Sequence, residues 1–381
     1  MTTHRTLILG AGAAGTAAAR ALAEHHDLDV TLVGRGSEEP YSRMLIKGVA
    51  VGSSAPGVTR LPLPSVRFVS DTAVSIDADV RMLGLRSGLT ETYDSLIIAT
   101  GSAPRQLASS VAGAAEARTT GTLTTLHSLR DALHIRRILE RGPRNVLLYG
   151  GGIIAAETAS LLADAGHGVT LIARSSFPGE SVFGARLARS IAELHRDRVD
   201  TLFGATLAAV SHDERTVTAH LDDGSSLTGD LLIVALGTVP LSPAPWNGGI
   251  LVDDRQRTTV DGVWAAGGAT VHDDARGMWR IDHWEDSTAQ GTHAAQHLLH
   301  VLDRGHDPGP YLPRSAFLAM IHGHVVSGVG LTAPGTTRIE PGEEFVQVHE
   351  HADGTPVGAS GLDAVLSVHR WRERLHGVST V

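Results

Sequence analysis

Two glycine turns hold most of the chemistry that can be read from this chain of 381 residues. Gly10-Ala11-Gly12-Ala13-Ala14-Gly15 follows the apolar run Leu7-Ile8-Leu9. Gly150-Gly151-Gly152-Ile153-Ile154-Ala155 follows Asn145-Val146-Leu147-Leu148-Tyr149. Each has glycine at the first two positions of a strand–turn–helix fingerprint and glycine or alanine at the third. In the first copy, Gly10 allows the tight turn, Gly12 lets the backbone approach a pyrophosphate, and Gly15 lets helix and strand pack closely. The helix that follows, opening at Ala13, offers unpaired N–H groups and a positive dipole end to that phosphate. Two such turns imply two dinucleotides, one held and one visiting.

Other chemistries are excluded or disfavoured by composition. The chain has no cysteine, so a disulfide framework, a catalytic dithiol, a thiolate nucleophile and an iron–sulfur centre on this chain are impossible. A formal net charge of −9 argues against a nucleic-acid partner. No apolar run approaches the ~20 residues needed to span a bilayer, so no integral membrane segment is expected and the cytoplasm is the expected location. The 21 histidines invite a metal reading. His293, His297 and His300 share a helical face, yet no carboxylate accompanies them at ligand spacing, and no metal is expected. His349-Glu350-His351 lacks the spacing of a zinc protease, and Gly358-Ala359-Ser360-Gly361 is not a nucleophile elbow. His322-Gly323-His324 reads as a surface loop, with contact to substrate the alternative.

The elements that must position the turns repeat as well. A second strand follows each unit, at 28–33 and 168–173. Leu96-Ile97-Ile98-Ala99-Thr100-Gly101 is echoed by Leu232-Ile233-Val234-Ala235-Leu236-Gly237, and Val263-Trp264-Ala265-Ala266-Gly267-Gly268 is another strand ending in glycines. Periodicity places helices at 126–141, 156–165, 186–195 and 286–302. Residues 66–76 read as a strand pair, 105–125 as an irregular linker, and the chain from 308 onward as short β pieces with an amphipathic stretch at 361–376. The fold class is α/β: two Rossmann-like three-layer nucleotide-binding domains plus a small α+β C-terminal domain.

The order of these motifs resembles the two-dinucleotide-domain flavoproteins of the pyridine nucleotide-disulfide oxidoreductase superfamily. Lacking cysteine, the chain stands apart from the disulfide-reductase branch. His283-Trp284 with Ala289-Gln290-Gly291, and Gly328-Val329-Gly330-Leu331, are similar to the ferredoxin-reductase-like branch. Tyr41-Ser42-Arg43-Met44-Leu45 and the basic helix at 126–141 also resemble type II NADH dehydrogenases. The resemblance implies an FAD-binding domain at 1–113 and 239–306, an NAD(P)H-binding domain at 114–238, and a C-terminal interface domain at 307–381, with a homodimer possible. It implies an FAD-dependent NAD(P)H oxidoreductase whose acceptor is an electron-carrier protein, a quinone or a small organic molecule. Lys47 and Glu157 match a lysine and a glutamate that the family places beside the flavin, where a charged pair tunes the ring; the alternative is a structural ion pair. Further cofactor contacts implied are Arg35, Arg43, Ala99, Thr100, Gly101, Gly267, Gly268 and Trp284 for FAD, and Ile153, Ile154, Arg174 and Gly237 for the nicotinamide nucleotide.

Two positions depart from the family. An acidic residue is expected after the second strand, where this chain has Arg35-Gly36, with Glu38 and Glu39 slightly late. Ala-Gly-Asp is expected at 266–268, where this chain has Gly268. A hydrogen bond to a charged group contributes about 1.5–3 kcal/mol, so two losses correspond to roughly two to four decades of FAD affinity. Asp273 and Asp274 lie downstream as candidates to compensate. The alternative is a degenerate relative that keeps the fold without the redox cycle. Arg174-Ser175-Ser176 suits a 2′-phosphate and points to NADPH, with NADH possible.

Overall fold

The computed structural model describes residues 3–35, 39–274, 277–313, 316–332, 336–342 and 344–376. Its contacts divide the chain into two compact units. The first comprises Met1–Ser42, Thr59–Ala103 and Thr238–Ser315; the second comprises Arg43–Val58, Pro104–Gly237 and Ala316–Val381. The architecture is α/β, with strands arranged around parallel sheets.

The first unit is built on a five-stranded parallel sheet in the order Val263–Ala265, Ser95–Ile98, His4–Leu9, Leu28–Gly34, Arg67–Ser70. Its central strands are apolar throughout because both faces are covered. Side chains alternate: Ile8 and Ile97 face the helices Ala13–Leu22 and Trp284–Val301, while Leu7, Leu9, Leu96 and Ile98 face the other way. On that side they meet Tyr93 and, from a three-stranded antiparallel sheet of Ala73–Asp77, Met82–Leu85 and Thr90–Thr92, Leu83 and Leu85. The result is three layers. The two helices meet at small residues: a Cβ at Gly291 would fall 2.1 Å from the Ala14 carbonyl oxygen.

The second unit repeats the plan. Its parallel sheet runs Asp200–Phe203, Gly168–Ala173, Asn145–Tyr149, Leu231–Val234, Leu123–Thr125. A three-stranded antiparallel sheet from Leu207–His212, Val217–Leu221 and Ser226–Gly229 packs on it through Leu207, Val217 and Ala219. The C-terminal part is an antiparallel five-stranded sheet in the order Phe317–Ile321, His324–Gly330, Pro356–Leu362, Phe345–Glu350, Thr336–Ile339. The helix Val365–His376 covers it through Val368 and Trp371, which meet Val329, Val346 and Ala359.

Several boundaries differ from the sequence reading, each for a local reason. Residues 105–125 are not a bare linker. They hold the helix Ala114–Thr120, which buries Ala114 and Ala117, and the strand Leu123–Thr125, whose β-branched threonines suit a sheet edge. Residues 66–76 do not pair with each other, because Arg67–Ser70 joins the parallel sheet and Ala73–Asp77 starts the antiparallel one. Ser128 and Asp131 form a capping box, so the helix expected at 126–141 starts at Leu129 and spans Leu129–Leu139. The helix expected from 156 begins directly after Gly152, as Ile153–Asp164. The helix expected at 186–195 is Glu180–His195, kinked at Gly184, whose φ of 76° is not helical.

Candidate functional site

In the first unit the glycine turn is closed below and open above. Gly10 has φ +112°, and a Cβ there would fall 2.2 Å from the Ala99 carbonyl oxygen. A Cβ at Gly15 would fall 1.7 Å from the Gly10 oxygen. The strand Ser95–Ile98 thus delivers Ala99 against the turn, with the Ala99 N–H donating to the Leu9 oxygen at 2.7 Å. Among the described residues, chain neighbours aside, no atom lies within 4 Å of a Cβ built at Gly12 or at Gly101. Ala13 and Ala14 open the helix beyond. Thr100 Oγ1 is buried without a hydrogen-bond partner. A buried hydroxyl left unpaired is costly, and a polar ligand over the turn would satisfy it. The glycine floor, the open backbone and this hydroxyl fit the phosphate and sugar part of FAD.

The sequence points three further segments of this unit at the same ligand. Arg35 is exposed at the bend after Leu28–Gly34. Gly36 and Glu38 lie outside the described residues, and Glu39 pairs with Arg60 at 3.1 Å on the surface. In the turn 266–268, the Gly267 N–H donates to Gln290 Oε1 at 2.7 Å, Gln290 Nε2 donates to Asp286 Oδ2 at 2.6 Å, and the Tyr311 hydroxyl donates to Asp286 Oδ1 at 2.7 Å. A Cβ at Gly267 would lie 3.0 Å from that of Ala14, so this turn rests on the start of the first helix. Trp284 opens the helix Trp284–Val301. Asp274 accepts from Trp279 Nε1 at 3.0 Å, while Asp273 is exposed on the same strand.

The second unit carries the second turn. A Cβ at Gly150 would lie 2.2 Å from the Ala235 oxygen, while Cβ positions at Gly152 and Gly237 have nothing within 4 Å. Ile153 is half-buried and Ile154 exposed at the start of the helix. Nearby is a cavity of about 380 Å³, lined among others by Arg105, Tyr149, Arg174, Leu207 and Leu236. Both arginines are exposed at its edge, and their guanidinium groups suit a phosphate. The spacing of motifs gave no sign of Arg105, which enters only through the path of the chain after Pro104.

Lys47 and Glu157 come together in the same unit. Lys47 stands on the helix Ile46–Ala50, and its Nζ donates to Glu157 Oε2. Their side chains are 17% and 11% exposed, so the charges are largely removed from water. A pair this buried must be completed by further donors, and the Met320 N–H donates to Glu157 Oε1 at 3.4 Å. One turn on, Ser160 Oγ accepts from the His322 N–H at 2.7 Å. Arg43 contacts His127 Nε2 at 3.1 Å.

His322 lies in a turn whose next residues, Gly323 and His324, are exposed, but its ring is buried. Its side chain is 2% exposed and its Nε2 lies 2.9 Å from Nδ1 of the fully buried His195. Desolvation, then repulsion from His322, lowers the His195 pKa to about 4. The sequence reading missed this pair because 127 positions separate its members. His293 and His297 serve the core: His293 Nε2 donates to the Gly309 oxygen at 2.9 Å, and His297 Nδ1 accepts from Trp264 Nε1 at 3.0 Å. Burial lowers the pKa of both. Among the described residues no group of histidines and carboxylates is placed to hold a metal, and no helix is long and apolar enough to cross a membrane.

Comparison with known proteins agrees with this layout. The family model described as pyridine nucleotide-disulphide oxidoreductase matches residues 4–291. The chain is 27% identical over 316 residues to the ferredoxin–NAD(+) reductase component of the p-cumate 2,3-dioxygenase system of Pseudomonas putida, covering 77% of this chain and 75% of that one. It is 26% identical over 350 residues to rubredoxin-NAD(+) reductase of Pseudomonas putida, covering 85% and 86%. Among solved structures, the covalent putidaredoxin reductase–putidaredoxin complex matches with a TM-score of 0.87 at 20% identity, covering 98% of this chain and 93% of that one; this likeness is one of fold.

Proposed function

The chain belongs to the pyridine nucleotide-disulphide oxidoreductase family, and from that premise we propose a reductase that draws electrons from NADPH and passes them to a small electron-carrier protein. It is an FAD-dependent NAD(P)H oxidoreductase. The observation that carries the reading is the repeated turn: in both copies the first glycine is pinned by an alanine carbonyl and the second faces open space. The named relatives reduce ferredoxin or rubredoxin, which supports a carrier protein over a quinone. Without cysteine, no dithiol on this chain can relay the electrons.

Bound FAD would supply the hydride acceptor. The protein's part is to bind, orient and tune. Gly10, Gly12, Gly15, Thr100 and Gly101 offer backbone and a hydroxyl to FAD. Gly150, Gly152, Ile153, Ile154 and Gly237 offer the same kind of surface to the nicotinamide nucleotide. Lys47 holds a positive charge whose position Glu157 fixes, and a fixed positive charge favours electron-rich states of a bound ring. Arg174 and Arg105 line a cavity that suits a 2′-phosphate, which supports NADPH, although the two relatives are named for NAD(+). The FAD-binding domain assigned is 1–113 and 239–306, the NAD(P)H-binding domain 114–238. A homodimer through 307–381 and a cytoplasmic location complete the reading.

The test is a visible spectrum of the purified protein, then anaerobic addition of NADPH and of NADH, then of a ferredoxin, a rubredoxin or a quinone. Flavin bands that bleach faster with NADPH, and return fastest with an iron–sulfur carrier, are the expected result. A colourless protein that takes up no FAD would refute the reading, and a quinone as the faster acceptor would refute the carrier.

A further inference from the structure

Position 268 lacks a side chain where a carboxylate is expected, yet the space beside it is not vacant. A Cβ built on Gly268 would lie 2.2 Å from Asp282 Oδ1 and 2.9 Å from Asp282 Cγ. That first separation is close to the distance between an aspartate's own Cβ and its carboxylate oxygens. Asp282 Oδ1 therefore stands within the volume that a carboxylate attached at 268 would use. A side chain at 268 and the Asp282 carboxylate in its present place exclude each other.

The position of Asp282 is held from several sides, all within the first unit. Thr238 Oγ1 donates to its Oδ2, and Arg280 Nη2 donates to the same oxygen at 3.2 Å. Arg280 also reaches Thr238 Oγ1 at 3.1 Å and, through Nε, the Gly268 carbonyl at 2.9 Å. One guanidinium thus ties the backbone of 268 to the carboxylate of 282. Oδ1 is the oxygen nearest a Cβ built on Gly268. The Asp282 side chain is 25% exposed, so a ligand can reach it. The turn itself rests on Ala14 through Gly267, at the start of the phosphate-turn helix. A carboxylate accepts from hydroxyls and repels phosphate.

We propose that Asp282, from the extended stretch before the helix Trp284–Val301, supplies the carboxylate that position 268 lacks and accepts a hydrogen bond from a hydroxyl of the flavin's sugar-alcohol chain. The proposal rests on FAD being the resident cofactor. On this reading the carboxylate reaches the ligand from a neighbouring segment, and glycine at 268 leaves it room. Neither Asp273 nor Asp274 is needed for compensation.

The experiment measures FAD dissociation constants by quenching of flavin fluorescence, on apoprotein whose thermal midpoint is checked in parallel. The variants are Asp282→Asn, which keeps the shape, Asp282→Ala, and Gly268→Asp combined with Asp282→Ala. Loss of one charged acceptor is expected to weaken FAD by about 10- to 100-fold in both single variants. The double variant, with the acid restored to 268, is expected to recover most of that loss. An Asp282→Asn protein that binds FAD like the wild type overturns the proposal. So does a double variant that folds and gains nothing over Asp282→Ala, since the carboxylate then acts only through Arg280 and Thr238. A wild-type chain that takes up no FAD under any condition overturns both this proposal and the flavoenzyme reading, whereas the first two outcomes leave the latter standing.

Discussion

The two glycine turns are copies with different tolerances. In both, the first glycine faces an alanine carbonyl at 2.2 Å from a would-be Cβ. At the third position they part. Gly15 has no room, its Cβ position lying 1.7 Å from the Gly10 oxygen, while the second turn accommodates Ala155 at zero exposure. The first helix is further pressed by Gly291 against Ala14. The lesson is that one fingerprint can be built with two clearances. The tighter copy is the one assigned to the cofactor that stays.

Substitutions at the third position break the comparison most sharply. Gly15→Ala is expected to cost at least ~3 kcal/mol through overpacking against backbone and to yield protein without flavin, read by absorbance per chain. Ala155→Gly is expected to cost only about 1 kcal/mol of helix propensity, lowering the thermal midpoint and sparing flavin content. Equal losses from the two would show that the clearances do not matter.

Charge sharpens it next. Lys47→Met leaves the Glu157 carboxylate without its cation, a change of about 3 kcal/mol for a buried pair. Stopped-flow reduction by NADPH should slow by more than tenfold while FAD content holds. A purely structural ion pair would lower the thermal midpoint and spare the rate in the protein that remains folded.

Acid weakens both units through their buried histidines. His195 and His349, both in the second unit, have pKa values lowered by burial to about 4. The folded state disfavours their protonation, so stability is full above about 6.5, the unfolded value, and falls as pH drops from there toward about 4. Each contributes of the order of 3 kcal/mol over that window. In the first unit, Asp307 is lowered to about 2, chiefly by its hydrogen bond from Arg255. Its contribution is present above the unfolded carboxylate value and is lost only as pH falls through about 2. His293 and His297, in the first unit, are lowered by burial in the same direction, so hydrogen exchange should show both units opening more at pH 5 than at pH 7, and His349→Gln should reduce that change in the second.

The smallest effect concerns nucleotide choice. Arg174→Ala is expected to raise KM for NADPH about tenfold, the equivalent of one charged hydrogen bond, while KM for NADH stays constant. A parallel rise for NADH would place the guanidinium on a part common to both.

Much of the architecture was legible because it depends on short-range constraints. A strand buried on both faces must be apolar, and a turn under a carbonyl must be glycine, so Leu7–Gly15 and Leu147–Gly152 declare themselves. The Lys47–Glu157 contact spans 110 positions and was legible only through resemblance. Contacts with no local periodicity were not legible. His322 looks exposed beside Gly323, yet its ring is buried because the helix Glu180–His195 ends against it. Gly268 reads as a loss until Asp282 is seen beside it. The strand Leu123–Thr125 looks like loop because three residues carry too little pattern, and its place is set by Leu231–Val234.

The hairpin Phe317–Ile321 and His324–Gly330 works as a gauge. Alternate backbone N–H groups, of Met320 and His322, meet Glu157 and Ser160, which lie one helical turn apart. A strand's two-residue step and a helix's three-residue step coincide here. A single-residue insertion between them would present a different edge of the strand to the helix. Length variation in this chain should therefore be tolerated in its loops and purged from these few residues, whatever their side chains.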